Sequence, residues 1–283
     1  MIESAMAQSL EGVIDIHAHS GPDSIPRKID GIDLAKLYKA RGLRGVVLKN
    51  HYQPTASLAF LARKYVADFE TFGGIALNLP VGGINPTAVE NMVKVAGGWG
   101  RFVWMPTFDS ENQVTYSKEK RPFVAVSQSG RLLPAVLDVI GIVAKYNLVL
   151  ATGHSTVKED LMLVREARKR GVKHIVITHA MMAPIHMSIA DMSEAAATGA
   201  YIEFVYNGLI GPYKEFQFAD YTKAIRAVGV EHCILASDLG QMVNPSHPDG
   251  LVEFFSGLKE QGITSAEIGI MSRTNPAKLL ELP

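Results

Sequence analysis

Cysteine is almost missing from this 283-residue chain. Cys233 stands alone, which excludes an intrachain disulfide and a thiolate metal cluster and makes a reducing compartment the expected setting. An excess of charge of either sign is missing too: Lys plus Arg and Asp plus Glu are both 28, so nothing is in surplus to neutralise phosphates or an anionic bilayer surface. Neither a nucleic-acid nor a membrane partner is therefore expected. No apolar run approaches the roughly 18 residues that span a bilayer, and the longest, residues 136–151, is interrupted by Asp138, Gly141, Lys145 and Asn147. Residues 1–11 carry acidic side chains and lack the basic start and apolar middle of a signal peptide, so a cytoplasmic protein is predicted. A glycine-rich turn of the dinucleotide-binding kind is also lacking, since Val81-Gly82-Gly83 and Gly97-Gly98 are too short and badly spaced.

Apolar residues, in contrast, are plentiful. At 47% hydrophobic and 20% charged, the chain can bury a large core. Residues 13–19 read Val-Ile-Asp-Ile-His-Ala-His, an apolar strand ending in two histidines one residue apart. Positions i and i+2 of a strand share a face, so His17 and His19 can offer two imidazoles to one metal ion. Seven more segments read as short strands, at 45–51, 72–78, 101–107, 148–153, 174–179, 200–205 and 233–238. Helical spacing of apolar residues fills the intervals: 32–42, 54–69, 85–96, 132–146, 159–171, 189–198 and 221–228, then 249–261 and 264–272. Eight strands alternating with helices is the cadence of βα units. It predicts an α/β fold of the (β/α)8 TIM-barrel type as a single domain over residues 1–283, with an open doubly wound sheet as the runner-up. One interval breaks the rhythm. Residues 108–129 are polar and irregular, and are expected to form either a lid over a site or a plain surface excursion.

Polar groups gather where these strands end: His17 and His19 on the first, Lys49 and His51 on the second, His154 on the fifth, His179 on the sixth and Asp238 on the eighth. In a barrel these ends lie on the face where active sites are built. Imidazole nitrogens with a carboxylate suit Zn²⁺, and also Mn²⁺, Fe²⁺, Co²⁺ or Ni²⁺. His174 and His232 precede strands and are read as structural, whereas His186 and His247 fall in loops from which they could reach a substrate.

In the order of these motifs, over essentially its whole length, the chain resembles the amidohydrolase superfamily of metal-dependent hydrolases. The resemblance implies His17, His19, His154, His179 and Asp238 as ligands of one or two divalent ions, zinc first among them, with Asp238 also shuttling a proton. Asn275-Pro276-Ala277 echoes the asparagine-containing helix on which the family ends. The departure is at strand four, which ends Trp104-Met105-Pro106-Thr107 where many binuclear members place a bridging lysine or glutamate. Lys49 on strand two is the substitute. A free ammonium has no lone pair and is repelled by metal ions, so Lys49 as a metal ligand requires carboxylation by CO2; the other reading is an ordinary lysine donating to substrate or to Asp15. His51 is open between ligand, donor behind a ligand, and catalytic contact with substrate.

The expected activity is hydrolysis of an amide, lactam, lactone or ester in a polar small molecule. The alternatives on the same barrel are a mononuclear decarboxylase or hydratase, and a phosphoesterase. Arg27, Tyr52 and Glu203 are the substrate-binding candidates, with Asn78, Thr107, Tyr206 and Asn207 also at or just past strand ends. Phe216, Phe218, Phe254 and Phe255 are read as material for a homo-oligomer interface.

Overall fold

The structure is a computed structural model that describes residues 10–283. Most of the segment read for a signal peptide lies outside the described residues. Eight parallel strands form a nearly closed (β/α)8 barrel in sequence order: β1 (Ile14–His19), β2 (Gly45–Lys49), β3 (Glu70–Ala76), β4 (Gly100–Trp104), β5 (Val149–Ala151), β6 (His174–Ile177), β7 (Tyr201–Val205) and β8 (Cys233–Ala236). All residues of β1, β2, β5 and β8 are buried, as expected of a parallel sheet covered on both faces. No helix among the described residues is long and apolar enough to cross a membrane.

Two compact units divide the chain. Among the described residues the first comprises 10–49, Leu58–Phe72 and Phe204–Pro283, the second Asn50–Ser57 and Gly73–Glu203. In the first, β1 pairs with β2, and the segment just beyond β8 meets β1 through an Ala18–Leu239 bridge and bonds from His19 N–H to Leu239 O (2.8 Å) and Asp238 N–H to His17 O (2.8 Å). The first helix, α1 (Gly31–Ala40), begins where Asp30 accepts from the amides of Ile32 and Asp33. From α1, Tyr38 donates its hydroxyl to Asp15 at 2.5 Å, inside the fold. Phe254 and Phe255 are core residues at 0% and 1% exposure, which removes them from the expected interface; Phe216 and Phe218 are half-buried. Their helix, α9 (His247–Glu260), is amphipathic, and the two rings occupy its inward face. Asn275 donates to the carbonyls of Val230 (2.9 Å) and Cys233 (2.8 Å), so it ties down the start of β8.

In the second unit β4, β5 and β6 pair in parallel, and Phe102 stacks on Trp104 with ring centroids 5.0 Å apart. β4 stops at Trp104, short of the expected Thr107, because Pro106 has no N–H to continue a ladder. The interval 108–129 is more ordered than its polarity suggests. It holds a helix, α4 (Glu111–Tyr116), capped by the Ser110 side chain, and the two-residue strand Ser127–Gln128, which pairs antiparallel with Arg131–Leu132. Arg121 pins it down by ion pairs to Asp109 and Glu119. The helix expected at 264–272 is split as Ser265–Gly269 followed by a π-helical turn over Ile270–Thr274.

Candidate functional site

Each unit carries a cluster of buried histidines at or just past strand ends. In the first, His17 and His19 extend from β1, and both Nε2 atoms converge on Asp238 Oδ1, at 3.1 and 3.0 Å. These three are the group of metal-capable side chains that the described residues bring together, with ligand atoms all within 4.8 Å of one another. Lys49 joins them at the end of β2, its Nζ 2.8 Å from His17 Nε2. Burial holds the His19 imidazole well below its ordinary pKa, with the charges of Arg27 and Lys49 acting the same way and Asp238 opposing. Burial alone would raise Asp238, but the charge of His17 and the hydrogen bonds of both imidazoles outweigh it and hold the carboxyl well below the usual range.

A frame of short polar side chains fixes this cluster. Asn207 Nδ2 donates to Asp238 Oδ2 (3.2 Å), Asn244 donates to Asn207 Oδ1 (2.9 Å), and Gln241 donates to the Asp238 carbonyl (2.9 Å). One carboxylate oxygen thus faces the imidazoles and the other an amide. Asp238 itself has φ of 50°, a left-handed backbone costing of order 1 kcal/mol or more, held there by the surrounding bonds. Asp15 is a strut below: it accepts from the backbone amides of His17 (3.2 Å) and Ser237 (3.0 Å) as well as from Tyr38. Lys49 is therefore bonded to His17, and the polar partners around Asp15 are these three. His247, expected in an exposed loop, is instead buried at the start of α9. Its Nε2 donates to the His19 carbonyl (3.0 Å), its ring packs edge-on to Tyr38, and burial lowers its pKa to about 4. At Gly240, φ of 133°, a β-carbon would lie 2.2 Å from that same His19 carbonyl, so the turn after Asp238 admits only glycine.

Arg27 lies in the loop after β1 with its side chain 5% exposed. Its Nε pairs with Asp23 at 2.7 Å, while its Nη2 is buried without a hydrogen-bond partner.

The second cluster is built on His154 and His179, whose Nε2 atoms face each other at 3.1 Å. Behind them, Gln113 Oε1 lies 2.8 Å from His154 Nδ1, and Glu203 Oε2 accepts from the His179 amide at 2.9 Å. That bond braces a residue with φ of 27°, so Glu203, a substrate candidate by sequence, also supports a strained histidine. His51 Nδ1 is 2.8 Å from Thr107 Oγ1, and its ring lies 4.0 Å, centroid to centroid, from Phe108. Asn78 knits this wall by donating to the His51 carbonyl (2.7 Å) and to Thr107 Oγ1 (2.6 Å). Gly153, φ of 66°, passes so close to the Met105 carbonyl that a β-carbon would lie 2.3 Å from it, which lets His154 follow immediately. Tyr52 is half-buried, 6.1 Å ring to ring from His51. His186 is exposed, beside Tyr116.

His17, His19 and Asp238 could hold a divalent ion. Metal–ligand bonds of about 2.0–2.2 Å place neighbouring ligand atoms roughly 3.0–3.5 Å apart in octahedral or tetrahedral sites. The spacings of 3.0–3.1 Å around Asp238 Oδ1 and between the two facing imidazoles match that edge. Sequence reasoning did not find Gln113, Asn244, Gln241 or the Tyr38–Asp15 bond. Only Gln113 left a signal: Ser110-x-x-Gln113 is a capping-box pattern that marks a helix start inside the polar interval.

A model of a family of unknown function, DUF6282, matches residues 12–203. No curated protein sequence matches the chain. Among solved structures, an amidohydrolase from Pseudomonas aeruginosa superposes with a TM-score of 0.65 at 10% identity, over 99% of this chain and 98% of its own. A phosphotriesterase homology protein from Escherichia coli, with phosphate in its active site, gives 0.63 at 16% identity over 95% and 98%. A 2,6-dihydroxybenzoate decarboxylase from Rhizobium gives 0.56 at 15% identity over 96% and 99%. These neighbours belong to the amidohydrolase superfamily, and at such identities what this chain shares with them is the fold.

Proposed function

The chain belongs to DUF6282, a family of unknown function, and from that premise we propose that it is a metal-dependent hydrolase of the amidohydrolase type, acting on a polar small molecule. One observation carries the reading: two imidazole nitrogens converge on one oxygen of a buried, ionised aspartate at metal-polyhedron spacing. His17, His19 and Asp238 would hold one divalent ion, zinc being the first choice for an N,N,O set; His154 and His179 would hold a second. When bound, such an ion supplies a more acidic water and an electrophile for the scissile bond.

The remaining work falls to the chain's own groups. Asp238 takes the proton of the attacking water and passes it to the leaving group, with Asn207 fixing the orientation of its outer oxygen. His51, oriented by Thr107, acts on the bond being broken as a catalytic donor. Lys49 bears on the ion count. As an ammonium it sets a positive charge 2.8 Å from His17 Nε2, the nitrogen an ion needs; carboxylated by CO2 it loses that charge and offers ligating oxygens. Arg27 receives a negatively charged group of the substrate, its buried Nη2 being the donor, and Tyr52 and Glu203 contact the remainder. The cytoplasm is the compartment we favour for a chain with one buried thiol.

Metal content per chain, measured on protein purified without chelators in bicarbonate buffer, tests this reading. Two ions, with turnover in a screen of lactones, amides and phosphoesters, are expected. One ion with Lys49 unmodified by mass spectrometry moves the reading to a mononuclear decarboxylase or hydratase. No ion, and none taken up on titration with Zn²⁺, overturns it.

A further inference from the structure

Between His154 and His179 the structure poses a question of hydrogen placement. Two Nε2 atoms 3.1 Å apart cannot both present a lone pair without repulsion, nor both a hydrogen. In the neutral, metal-free pair one N–H is shared, and what lies behind each ring decides which ring carries it.

Behind His154 stands Gln113, on α4 within the interval 108–129. Its Oε1 is 2.8 Å from His154 Nδ1, while its Nε2 donates to Ser117 Oγ at 2.9 Å. An amide oxygen only accepts, so Nδ1 carries the hydrogen and Nε2 the lone pair. The helix is not placed there loosely. Ser110 Oγ accepts from the Gln113 amide (3.0 Å) and donates to the His154 carbonyl (3.0 Å), so one hydroxyl joins the cap of α4 to the backbone of the histidine. Asn112 adds bonds to the carbonyls of Ser155 (3.2 Å) and Pro184 (3.1 Å). Four consecutive residues of an interval that could have been a bare surface loop thus include three that address the ends of β5 and β6.

We propose that Gln113 is a positioning residue that fixes His154 as the Nδ1–H tautomer and so keeps its Nε2 ready to bind a cation. The proposal rests on the reading of His154 as a metal ligand, and it gives the 108–129 segment the role of orienting a ligand from behind. A group that orients a ligand imidazole in this way commonly changes metal affinity 10- to 100-fold when removed.

Long-range ¹H–¹⁵N NMR of the metal-free full chain, at a pH where the imidazoles are neutral, reads the tautomer directly. In the wild type His154 should show a protonated Nδ1 and an unprotonated Nε2; the reverse pattern overturns the proposal, whether or not any variant folds. Gln113→Leu is expected to lose that preference and to bind Zn²⁺ about 10- to 100-fold more weakly at the site that His154→Ala abolishes. Gln113→Glu, which keeps an acceptor oxygen, is expected to restore both readouts. If Gln113→Leu retains the Nδ1–H tautomer and wild-type Zn²⁺ affinity, the proposal fails. If His154→Ala itself binds Zn²⁺ like the wild type, the metal reading of this cluster fails and the tautomer measurement still judges Gln113.

Discussion

The two histidine clusters solve the same packing problem with different chemistry. Around His17 and His19 the supporting groups are charged: Asp238 within 3.0–3.1 Å of both imidazoles, and Lys49 at 2.8 Å from one. Around His154 and His179 the groups bonded to the rings and their backbone are an amide oxygen, a serine hydroxyl and a carboxylate that accepts from backbone. A charged cluster sets its own protonation, because moving a proton changes an interaction between full charges in a low-dielectric site. An imidazole whose ring partner is an amide oxygen depends on its hydrogen-bond neighbours to choose a tautomer. The first should therefore respond to changes of charge and the second to changes of hydrogen-bonding geometry.

Removing the charge from the first cluster should have the largest effect. Asp238→Asn is expected to lower turnover by about 10²- to 10⁴-fold, the usual worth of a general base, with a cooperative thermal transition retained. Steady-state kinetics beside a melting curve decides the matter, and full activity in this variant removes Asp238 as the base. Next comes the strut beneath that cluster. Asp15 is raised by burial, with its hydrogen bonds to Ser237, Tyr38 and the His17 amide opposing, so Tyr38→Phe takes one donor from a buried carboxyl. A loss of about 1–3 kcal/mol is expected in urea unfolding; a loss in the comparable His51–Thr107 variant Thr107→Val that exceeds it reverses the contrast between charged and neutral supports.

A buried carboxyl of the second unit, Asp160, sharpens the comparison from the other side. Asp160 on α6 (Val157–Lys169) is 0% exposed, and neither of its oxygens makes a hydrogen bond of ordinary geometry. Burial pushes its pKa well above the usual carboxylate value; the Thr152 hydroxyl offsets this in part, and the charge of Glu159 adds to it. A raised pKa means that the folded chain holds a proton that the unfolded chain releases. Stability from this group is thus full below the unfolded value near 3.8 and declines as pH rises towards the folded pKa. Asp160→Asn should then be more stable than the wild type at neutral pH by about 1–2 kcal/mol, an advantage that shrinks as the pH falls towards 4. A Tm difference that stays constant across that range contradicts the assignment of Asp160 as a neutral acid.

Much of this was legible in the residues. The β strands could be counted because parallel strands buried on both faces are short unbroken apolar runs, and the polar residues that end them stand out against that background. Boundaries were less legible where one residue's chemistry overrode a pattern, as at Pro106, which ends β4 early, and in the segment after Gly262, where a π turn divides the expected helix. Phe254 and Phe255 face the core rather than an interface, a choice left open because an apolar pair on an amphipathic helix looks alike in sequence whether it faces the core or a partner.

By itself the sequence determined the (β/α)8 order and the side chains delivered to the strand ends, since both follow from local periodicity along a single strand or helix. Only the tertiary structure decided which groups stand behind them. Tyr38 reaches Asp15, Asn244 reaches Asn207, His247 reaches the His19 carbonyl and Gln113 reaches His154 across separations of 23 to 228 residues. Such bonds join helices and loops to strands or loops distant in sequence. Their partners are chosen by the packing of those elements, which no local pattern of residues encodes.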